Sequence, residues 1–192
     1  MSVDRTKDKP TLPDLTLATG NDEALERTYW VVRPWLLAGA YPGHPEPAKH
    51  EARMLAIRAA GARTFVNLME ENARNNQGEP FVPYDAGADA RCLRFSVVDG
   101  SIPSRALMRS ILDAIDLSLE ARRPVYVHCF GGMGRTATVV GCWLLRHALA
   151  SRSDVLDVIT RLRKADKLRA SRDAPENAEQ REFVLSWPEG KR

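Results

Sequence analysis

The chain has 192 residues, of which 44% are apolar and 28% charged, and it carries a net charge of +3. This length and composition fit one soluble globular domain, and no apolar run approaches the ~18 residues of a membrane-spanning helix. The 22 Arg and 6 Lys are scattered without an aromatic stripe, which argues against a nucleic-acid partner. Three cysteines, an odd number in a chain of this length, argue against a disulfide framework. Residues 1–22 contain no apolar stretch typical of a secretory leader. We therefore expect a cytoplasmic protein.

Periodicity and turn residues predict alternating strands and helices. In chain order we expect strands at 29–32 and 35–39, a helix at 47–60, strands at 64–68 and 92–98, a helix at 104–121, a strand at 124–128, and helices from 135, at 153–167 and at 175–187. This alternation favours an α/β fold with a central, mainly parallel sheet of four to five strands flanked by helices. Residues 26–190 are predicted to form a single domain after a flexible segment at 1–25.

The strongest motif joins the strand at 124–128 to the helix that follows. Cys129 ends the strand, three glycines lie in the next five positions, and Arg135 opens the helix. Glycines let successive backbone N–H groups converge on one anion, and the start of a helix adds to that field. The same field stabilises a thiolate, while a planar guanidinium can hold two phosphate oxygens. A buried thiol in a glycine turn and a Walker loop are weaker alternatives, since the Walker Lys-Ser/Thr pair is absent.

Residues 128–136, His-Cys-Phe-Gly-Gly-Met-Gly-Arg-Thr, resemble the signature loop of the protein tyrosine phosphatase superfamily, nearest its compact dual-specificity-like members of bacterial type. The resemblance implies the superfamily's fold, with Cys129 as the nucleophile and Arg135 as the phosphate clamp. It further implies that the Thr136 hydroxyl bonds the cysteine and helps it leave, and that His128 shapes the loop. His128 as an ordinary core histidine is the alternative. The implied phosphate-binding amides are those of Phe130, Gly131, Gly132, Met133, Gly134 and Arg135.

A phosphocysteine mechanism needs a proton donor on another segment. Asp99 follows a predicted strand and lies 30 residues before Cys129, where the superfamily's mobile acid loop is expected. Gly100 offers a hinge for such a loop. Asp99 is therefore the predicted general acid, against the alternative that it only begins a turn. Asp113 and Asp116 fall within a helical pattern and are predicted to be surface residues.

Residues 174–184 resemble a Ser-Pro-Glu-Thr-x-x-Gln segment of some bacterial members. The resemblance implies that Gln180 approaches the pocket and positions the water that hydrolyses the phosphocysteine. Ala174 departs from the pattern because it replaces the capping serine, although Pro175 can still occupy the first helical turn. A surface glutamine is the alternative.

The remaining segments carry weaker predictions. The long connection at 69–90 follows a strand that ends at the active edge of the sheet and could form a pocket wall through Glu70, Glu71 or Arg74, against the alternative of an uninvolved loop. The basic stretch at 161–169 is predicted to be a solvated helix face, and a docking patch is the alternative. Cys92 and Cys142 are predicted core thiols, and a disulfide between Cys92 and Cys129 is the weaker alternative.

The sequence thus predicts a cysteine-dependent phosphatase that acts on protein phosphotyrosine, and also on phosphoserine or phosphothreonine, without a metal or cofactor. An inositol-phosphate or phosphoinositide phosphatase is the alternative, although Phe130 and Met133 stand where lysines would better match several phosphates. A phosphate-binding module without catalysis is a third hypothesis. The expected partner is a phosphorylated protein or a small phosphomonoester.

Overall fold

The computed structural model describes residues 11–21 and 25–190. Five strands form one sheet in the order β1-β2-β5-β3-β4. β1 and β2 pair antiparallel, and every other pair in the sheet is parallel. The predicted α/β fold with a mainly parallel sheet of four to five strands is confirmed. The strands are β1 (Thr28–Val32), β2 (Leu36–Gly39), β3 (Thr64–Asn67), β4 (Arg91–Arg94) and β5 (Val125–His128).

The centre of the sheet fixes where the functional loop begins. Every residue of β2, β3 and β5 is buried, as expected for parallel strands that are covered on both faces. His128 at the end of β5 lies level with Gly39 of β2 and Asn67 of β3. Cys129 therefore leaves the sheet at the carboxyl edge of three adjacent strands, which is the edge where ligands bind in such folds.

The helices cover this sheet and pack on one another. α2 contacts β3 and β5, α3 contacts β2 and β5, and α4 contacts β1. α3 also packs against α2, α4 and α5, so it is buried along its whole length. The helices are α1 (Pro47–Ala59), α2 (Arg105–Glu120), α3 (Arg135–Arg146), α4 (Val155–Arg163) and α5 (Ala178–Leu185).

Helix capping explains two boundaries. The Ser104 hydroxyl accepts a hydrogen bond from the Leu107 N–H at 3.1 Å, which confirms the predicted start of α2. α5 begins later than predicted because Asn177 is its N-cap, accepting from the Gln180 N–H at 2.9 Å. Pro175 therefore lies before the helix instead of in its first turn.

Burial of helix residues differs in part from the predictions. On α1, Leu55 is 61% exposed, while Met54 and Ile57 form the buried face. Asp116 was expected at the surface but is buried, where it accepts a hydrogen bond from Trp143 Nε1 at 2.9 Å and pairs with His147 Nε2 at 2.9 Å. Burial of a carboxylate is tolerated there because polar side chains on α3 and just beyond it satisfy it.

The edge strand β4 also differs from expectation. It ends at Arg94 and not at position 98, because β3, its single neighbour, ends at Asn67. Cys92 is exposed on this edge strand instead of forming part of the core, whereas Cys142 is buried as predicted. Cys92 lies level with Phe65 and, one strand further, with Tyr126, three residues before Cys129. Two strand spacings and three residues separate the two thiols, which excludes a disulfide without backbone movement.

Part of the predicted flexible segment at 1–25 lies outside the described residues. In the described part of that segment, Leu17 forms a bridge to Val32, and the Ala18 N–H donates to the Val31 carbonyl at 3.0 Å. Residues around Leu17 therefore extend the sheet at its outer edge. In the described part of the chain, no helix has the length and apolar character needed to cross a bilayer.

Candidate active site

Cys129 lies at the base of a turn that joins β5 to α3. The residue is 2% exposed, and its Sγ accepts a hydrogen bond from the Gly132 N–H at 3.3 Å. α3 starts at Arg135, so the five residues between them wrap around the thiol directly ahead of a helix N-terminus. Backbone donors and the helix dipole together stabilise an anion at this place, whether a thiolate or a phosphate.

The loop holds its shape because it is pressed against the end of β2. Gly132 has a φ of +75°, and a Cβ at this position would lie 2.7 Å from the Gly39 carbonyl carbon. The Phe130 carbonyl accepts from the Tyr41 N–H at 3.1 Å on the same side. Only glycine satisfies both the positive φ and this close approach.

Arg135 and Asp99 meet at the mouth of the loop. Arg135 Nη2 lies 2.6 Å from Asp99 Oδ1, and Arg135 Nη1 donates to the Val97 carbonyl at 3.0 Å. The arginine side chain is 3% exposed and the aspartate side chain is 74% exposed. A buried guanidinium is thus capped by a carboxylate that solvent can reach.

The loop that carries Asp99 is tethered from α5. Asn177 Nδ2 donates to the Gly100 carbonyl at 2.7 Å, and Gln180 Nε2 donates to the Ser101 carbonyl at 3.1 Å. These two bonds connect the predicted acid loop to the helix that carries the predicted water-positioning residue.

Gln180 itself is fully buried, so the alternative of a surface glutamine is wrong. Its Oε1 accepts from the Glu176 N–H at 3.1 Å, and both polar side-chain atoms lie 3.0 Å from the place of a Cβ on Gly134. Its amide is therefore in contact with the loop from Cys129 to Arg135, which is called the phosphate loop below. Its action on a water molecule stays a prediction.

His128 is buried beneath the loop and bonded to a residue that the sequence did not single out. The Tyr84 hydroxyl lies 2.7 Å from His128 Nε2. Burial lowers the pKa of His128 to about 3, with Arg94 and Arg135 adding to the effect, so the ring is neutral near pH 7. Burial also raises the pKa of Tyr84, so its hydroxyl keeps its proton. Tyr84 lies in a long connection without periodicity, and no sequence signal marks it.

Thr136 makes a different contact from the one that the resemblance implies. Its hydroxyl donates to the Gly39 carbonyl at 3.3 Å, which ties the first turn of α3 to the end of β2. In this structure the Thr136 hydroxyl therefore donates to Gly39 and not to Cys129. Its part in releasing the cysteine stays a prediction.

The connection at 69–90 stands beside the phosphate loop. The Phe81 ring packs edge-on against Phe130 with a centroid distance of 5.1 Å, and it contacts Tyr41 at 5.0 Å. Phe81 and Tyr41 also line a depression of about 250 Å³ whose lining includes Glu70, Glu71 and Arg74. The segment thus forms an aromatic wall next to the loop, and the three predicted polar residues line a depression that this wall shares.

The basic stretch at 161–169 is only in part the solvated helix face that was predicted, since Arg161, Lys164 and Lys167 are exposed but Arg163 is buried. α4 ends at Arg163, which is 1% exposed because its guanidinium binds carbonyls of the following segment. Arg169 lies against the phosphate loop, with Nη1 donating to the Gly131 carbonyl at 3.2 Å. Helical periodicity could not predict the contact of Arg169 with Gly131, because the chain leaves the helix after Arg163.

Taken together, the structure links the three predicted catalytic residues: Cys129 and Arg135 flank one loop, and Arg135 contacts Asp99 at 2.6 Å. Cys129, Arg135 and Asp99 derive from the end of β5, the start of α3 and the loop before α2. A thiol that faces an anion-binding loop and a cation can attack a phosphate monoester, because the developing charge falls among fixed donors.

Comparison with known proteins identifies the family. The family model described as Tc-R-P, "Polymorphic toxin system, DSP-PTPase phosphatase", matches residues 38–149, which is more than half of the chain. The chain therefore belongs to this family within the protein tyrosine phosphatase superfamily, close to its dual-specificity members.

A curated relative and two solved structures agree with this assignment. Dual specificity protein phosphatase CDC14AB of Danio rerio is 44% identical over 126 residues, covering 62% of this chain but only 19% of the relative's own length. The crystal structure of Tk-PTP in its active form superposes with a TM-score of 0.58 at 22% identity, covering 78% of this chain and 88% of that one. PTPMT1 in complex with PI(5)P gives a TM-score of 0.58 at 21% identity, with 79% and 88% covered. At these identities the two structures show the shared fold.

Proposed function

We propose that the chain hydrolyses protein phosphotyrosine, and also phosphoserine or phosphothreonine, through a phosphocysteine intermediate. The observation that carries the proposal is that Cys129 and Arg135 flank one loop and that Arg135 contacts Asp99. The Cys129 Sγ accepts from a loop amide, and the Arg135 guanidinium contacts the Asp99 carboxylate at 2.6 Å. Kinship with a dual-specificity phosphatase supports the choice of a phosphorylated protein as substrate.

The first chemical step transfers the phosphoryl group to sulfur. The Cys129 thiolate attacks phosphorus, an S–P bond forms, and the bond from phosphorus to the leaving oxygen breaks. Asp99 gives its proton to that oxygen as it leaves. The loop amides and Arg135 bind the three other phosphoryl oxygens, where charge accumulates in the transition state.

The second step regenerates the thiolate. A water molecule attacks phosphorus, the S–P bond breaks, and Asp99 takes the water proton. Gln180 lies against Gly134 of the loop and is tied to the acid loop through the Ser101 carbonyl. An amide in that place can orient the attacking water.

An aromatic leaving group suits the wall beside the loop. Phe81 packs on Phe130, and Phe81 in turn contacts Tyr41, so apolar ring surface lines the approach to Cys129 from that side. Aromatic side chains bind another ring through burial and edge-to-face contact. This favours phosphotyrosine over the smaller aliphatic phosphoesters.

A phosphoinositide phosphatase is the second candidate, because a PTPMT1 structure of the same fold holds PI(5)P. The loop between Cys129 and Arg135 contains no lysine, which removes one source of extra phosphate contacts. Turnover of phosphotyrosyl, phosphoseryl and phosphothreonyl peptides should be compared with turnover of phosphoinositides and soluble inositol phosphates. The proposal predicts the highest kcat/KM for phosphotyrosyl peptides. Higher kcat/KM for the inositol substrates would transfer the assignment to them.

The requirement for chemistry at sulfur needs its own control. Cys129→Ser should abolish hydrolysis of every substrate in that panel, while vanadate should block the unaltered chain without any added metal. A phosphopeptide that binds stably and is never hydrolysed would instead identify a binding module.

A further inference from the structure

Arg169 lies against the phosphate loop at Gly131 and is partly exposed. Its Nη1 donates to the Gly131 carbonyl at 3.2 Å and lies 2.7 Å from where a Cβ on Gly131 would stand. Met133 Cε lies 3.4 Å from that same point. Glycine at 131 thus leaves room for a guanidinium that lies directly against the loop, on the face it shares with Met133.

A buried arginine holds this guanidinium in place from behind. Arg163 is fully enclosed, and its two terminal nitrogens donate to the carbonyls of Arg169 at 3.1 Å and Arg172 at 2.8 Å. The Arg169 N–H also donates to the Asp166 carbonyl at 3.0 Å. Burying an arginine costs free energy unless hydrogen bonds satisfy its guanidinium. The bonds that Arg163 makes here fix the backbone from which Arg169 projects.

The charge of Arg169 is not neutralised within residues 11–21 and 25–190. No carboxylate in that range lies within 4 Å of its guanidinium, and its side chain has the neutral Gly131 carbonyl as its polar partner. A second cation, Arg27, reaches the adjacent Phe130 carbonyl at 3.5 Å, and Arg169 helps to lower the pKa of Arg27 after the larger effect of burial. Two like charges on consecutive carbonyls repel each other, and an anion placed beside them would relieve that repulsion.

We propose that Arg169 is a specificity-determining residue, which binds a second phosphate group of the substrate while the first occupies the loop between Cys129 and Arg135. This inference rests on the proposed function, because it names a feature of the substrate for the same pocket. Cys129 attacks the first phosphate and Arg135 binds it, while the planar guanidinium of Arg169 binds the second phosphate. A singly phosphorylated substrate leaves that fork unused.

The test compares matched substrates that differ by one phosphate. One arm uses phosphotyrosyl peptides with or without a phosphoserine placed one, two or three residues away, and another uses inositol monophosphates and bisphosphates. The readout is the ratio of kcat/KM for the doubly over the singly phosphorylated member. The unaltered chain should favour the doubly phosphorylated member by about tenfold in at least one arm, as one charge-assisted contact provides. The arm that shows the preference identifies the source of the second phosphate.

Arg169→Gln should bring that ratio to about one, and Arg169→Lys should restore part of it. Arg109→Gln removes the same charge from an exposed position on α2 and should leave the ratio of the unaltered chain in place. If Arg169 only supports the loop, both members of a pair will lose turnover together and the ratio will persist, which overturns the inference. A ratio of one in the unaltered chain overturns it as well. Failure to hydrolyse any singly phosphorylated peptide is a different result, since it contradicts the proposed function itself.

Discussion

Asp99 and Arg135 form an ion pair across the mouth of the phosphate loop, with Asp99 Oδ1 2.6 Å from Arg135 Nη2. The other terminal nitrogen of the guanidinium donates to the Val97 carbonyl at 3.0 Å. Both terminal nitrogens of Arg135 therefore contact the segment that carries the predicted acid. In the proposed mechanism, a substrate phosphate takes Nη2 from the carboxylate, and this exchange releases Asp99 next to the leaving group.

Removing the charge of Asp99 should have two opposite effects. In Asp99→Asn, competitive inhibition by inorganic phosphate should strengthen several-fold, because Arg135 no longer has a carboxylate competitor. Turnover should fall by about 10²-fold for substrates with poor leaving groups, since the proton donor is lost. Inhibition constants and a series of aryl phosphates of graded leaving-group acidity measure the two effects. Asp89→Asn, which alters an exposed aspartate, is the control.

If Asp99→Asn slows good and poor leaving groups equally, Asp99 is not the general acid. If phosphate inhibition does not strengthen either, the ion pair does not compete with substrate.

Alanine at position 132 should disrupt the loop. Gly132→Ala would set a Cβ 2.7 Å from the Gly39 carbonyl carbon at a φ of +75°, so the loop must move and activity should be lost. Gly78→Ala is the matched control, because it has a φ of +79° with no atom within 4 Å of the added Cβ. It should cost about 1 kcal/mol of stability from the left-handed backbone alone and keep activity. Thermal unfolding and aryl phosphate turnover distinguish the two, and equal effects would contradict the role of the close approach.

Gln180→Met should slow the second chemical step more than the first. The side chain fills similar space, but it can neither donate to the Ser101 carbonyl nor accept from the Glu176 N–H. The loss of these bonds should cost about 1 kcal/mol of unfolding free energy. Pre-steady-state kinetics should then show a burst of the leaving alcohol followed by slow phosphate release. Glu182→Gln on the same helix is the control, and a Gln180→Met variant without a burst would remove Gln180 from the hydrolytic step.

His128 should make the protein less stable in acid. The unfolded chain takes up a proton on this ring near pH 6.5, whereas the folded protein does so only near pH 3. The free energy of unfolding should therefore fall by up to about 1.4 kcal/mol per pH unit as pH drops from 6.5 towards 3. Urea unfolding of the unaltered chain and of His128→Gln between pH 4 and 7 measures this. The variant should show the shallower dependence, and parallel curves would contradict the assignment.

Local features of the sequence predicted the arrangement of strand, loop and helix around Cys129. The strand before Cys129, the glycines after it and the helix from Arg135 lie within one continuous stretch, so their arrangement follows from the chain itself. The predicted start of the helix at 104 and the hinge predicted at Gly100 likewise placed the loop that carries Asp99. These predictions needed no knowledge of which segments meet in space.

Contacts between distant segments could not be predicted in the same way. Tyr84 reaches His128 across 44 residues, and Arg169 reaches Gly131 across 38, from stretches without strand or helix periodicity. Asp116 lies within a helical pattern, and its burial depends on partners that α3 and its end supply. Cys92 is exposed because β4 lies at the edge of the sheet, and the residues of β4 alone do not predict its place in the strand order.

The proposed mechanism depends most on a covalent bond between phosphorus and the Cys129 sulfur. Rapid acid quench of the unaltered chain during turnover of a phosphotyrosyl peptide, followed by peptide mass spectrometry, measures it directly. We predict one phosphoryl group on the peptide that contains Cys129, and none in Cys129→Ser. Phosphorylation of another residue, or full turnover by Cys129→Ser, would contradict the mechanism.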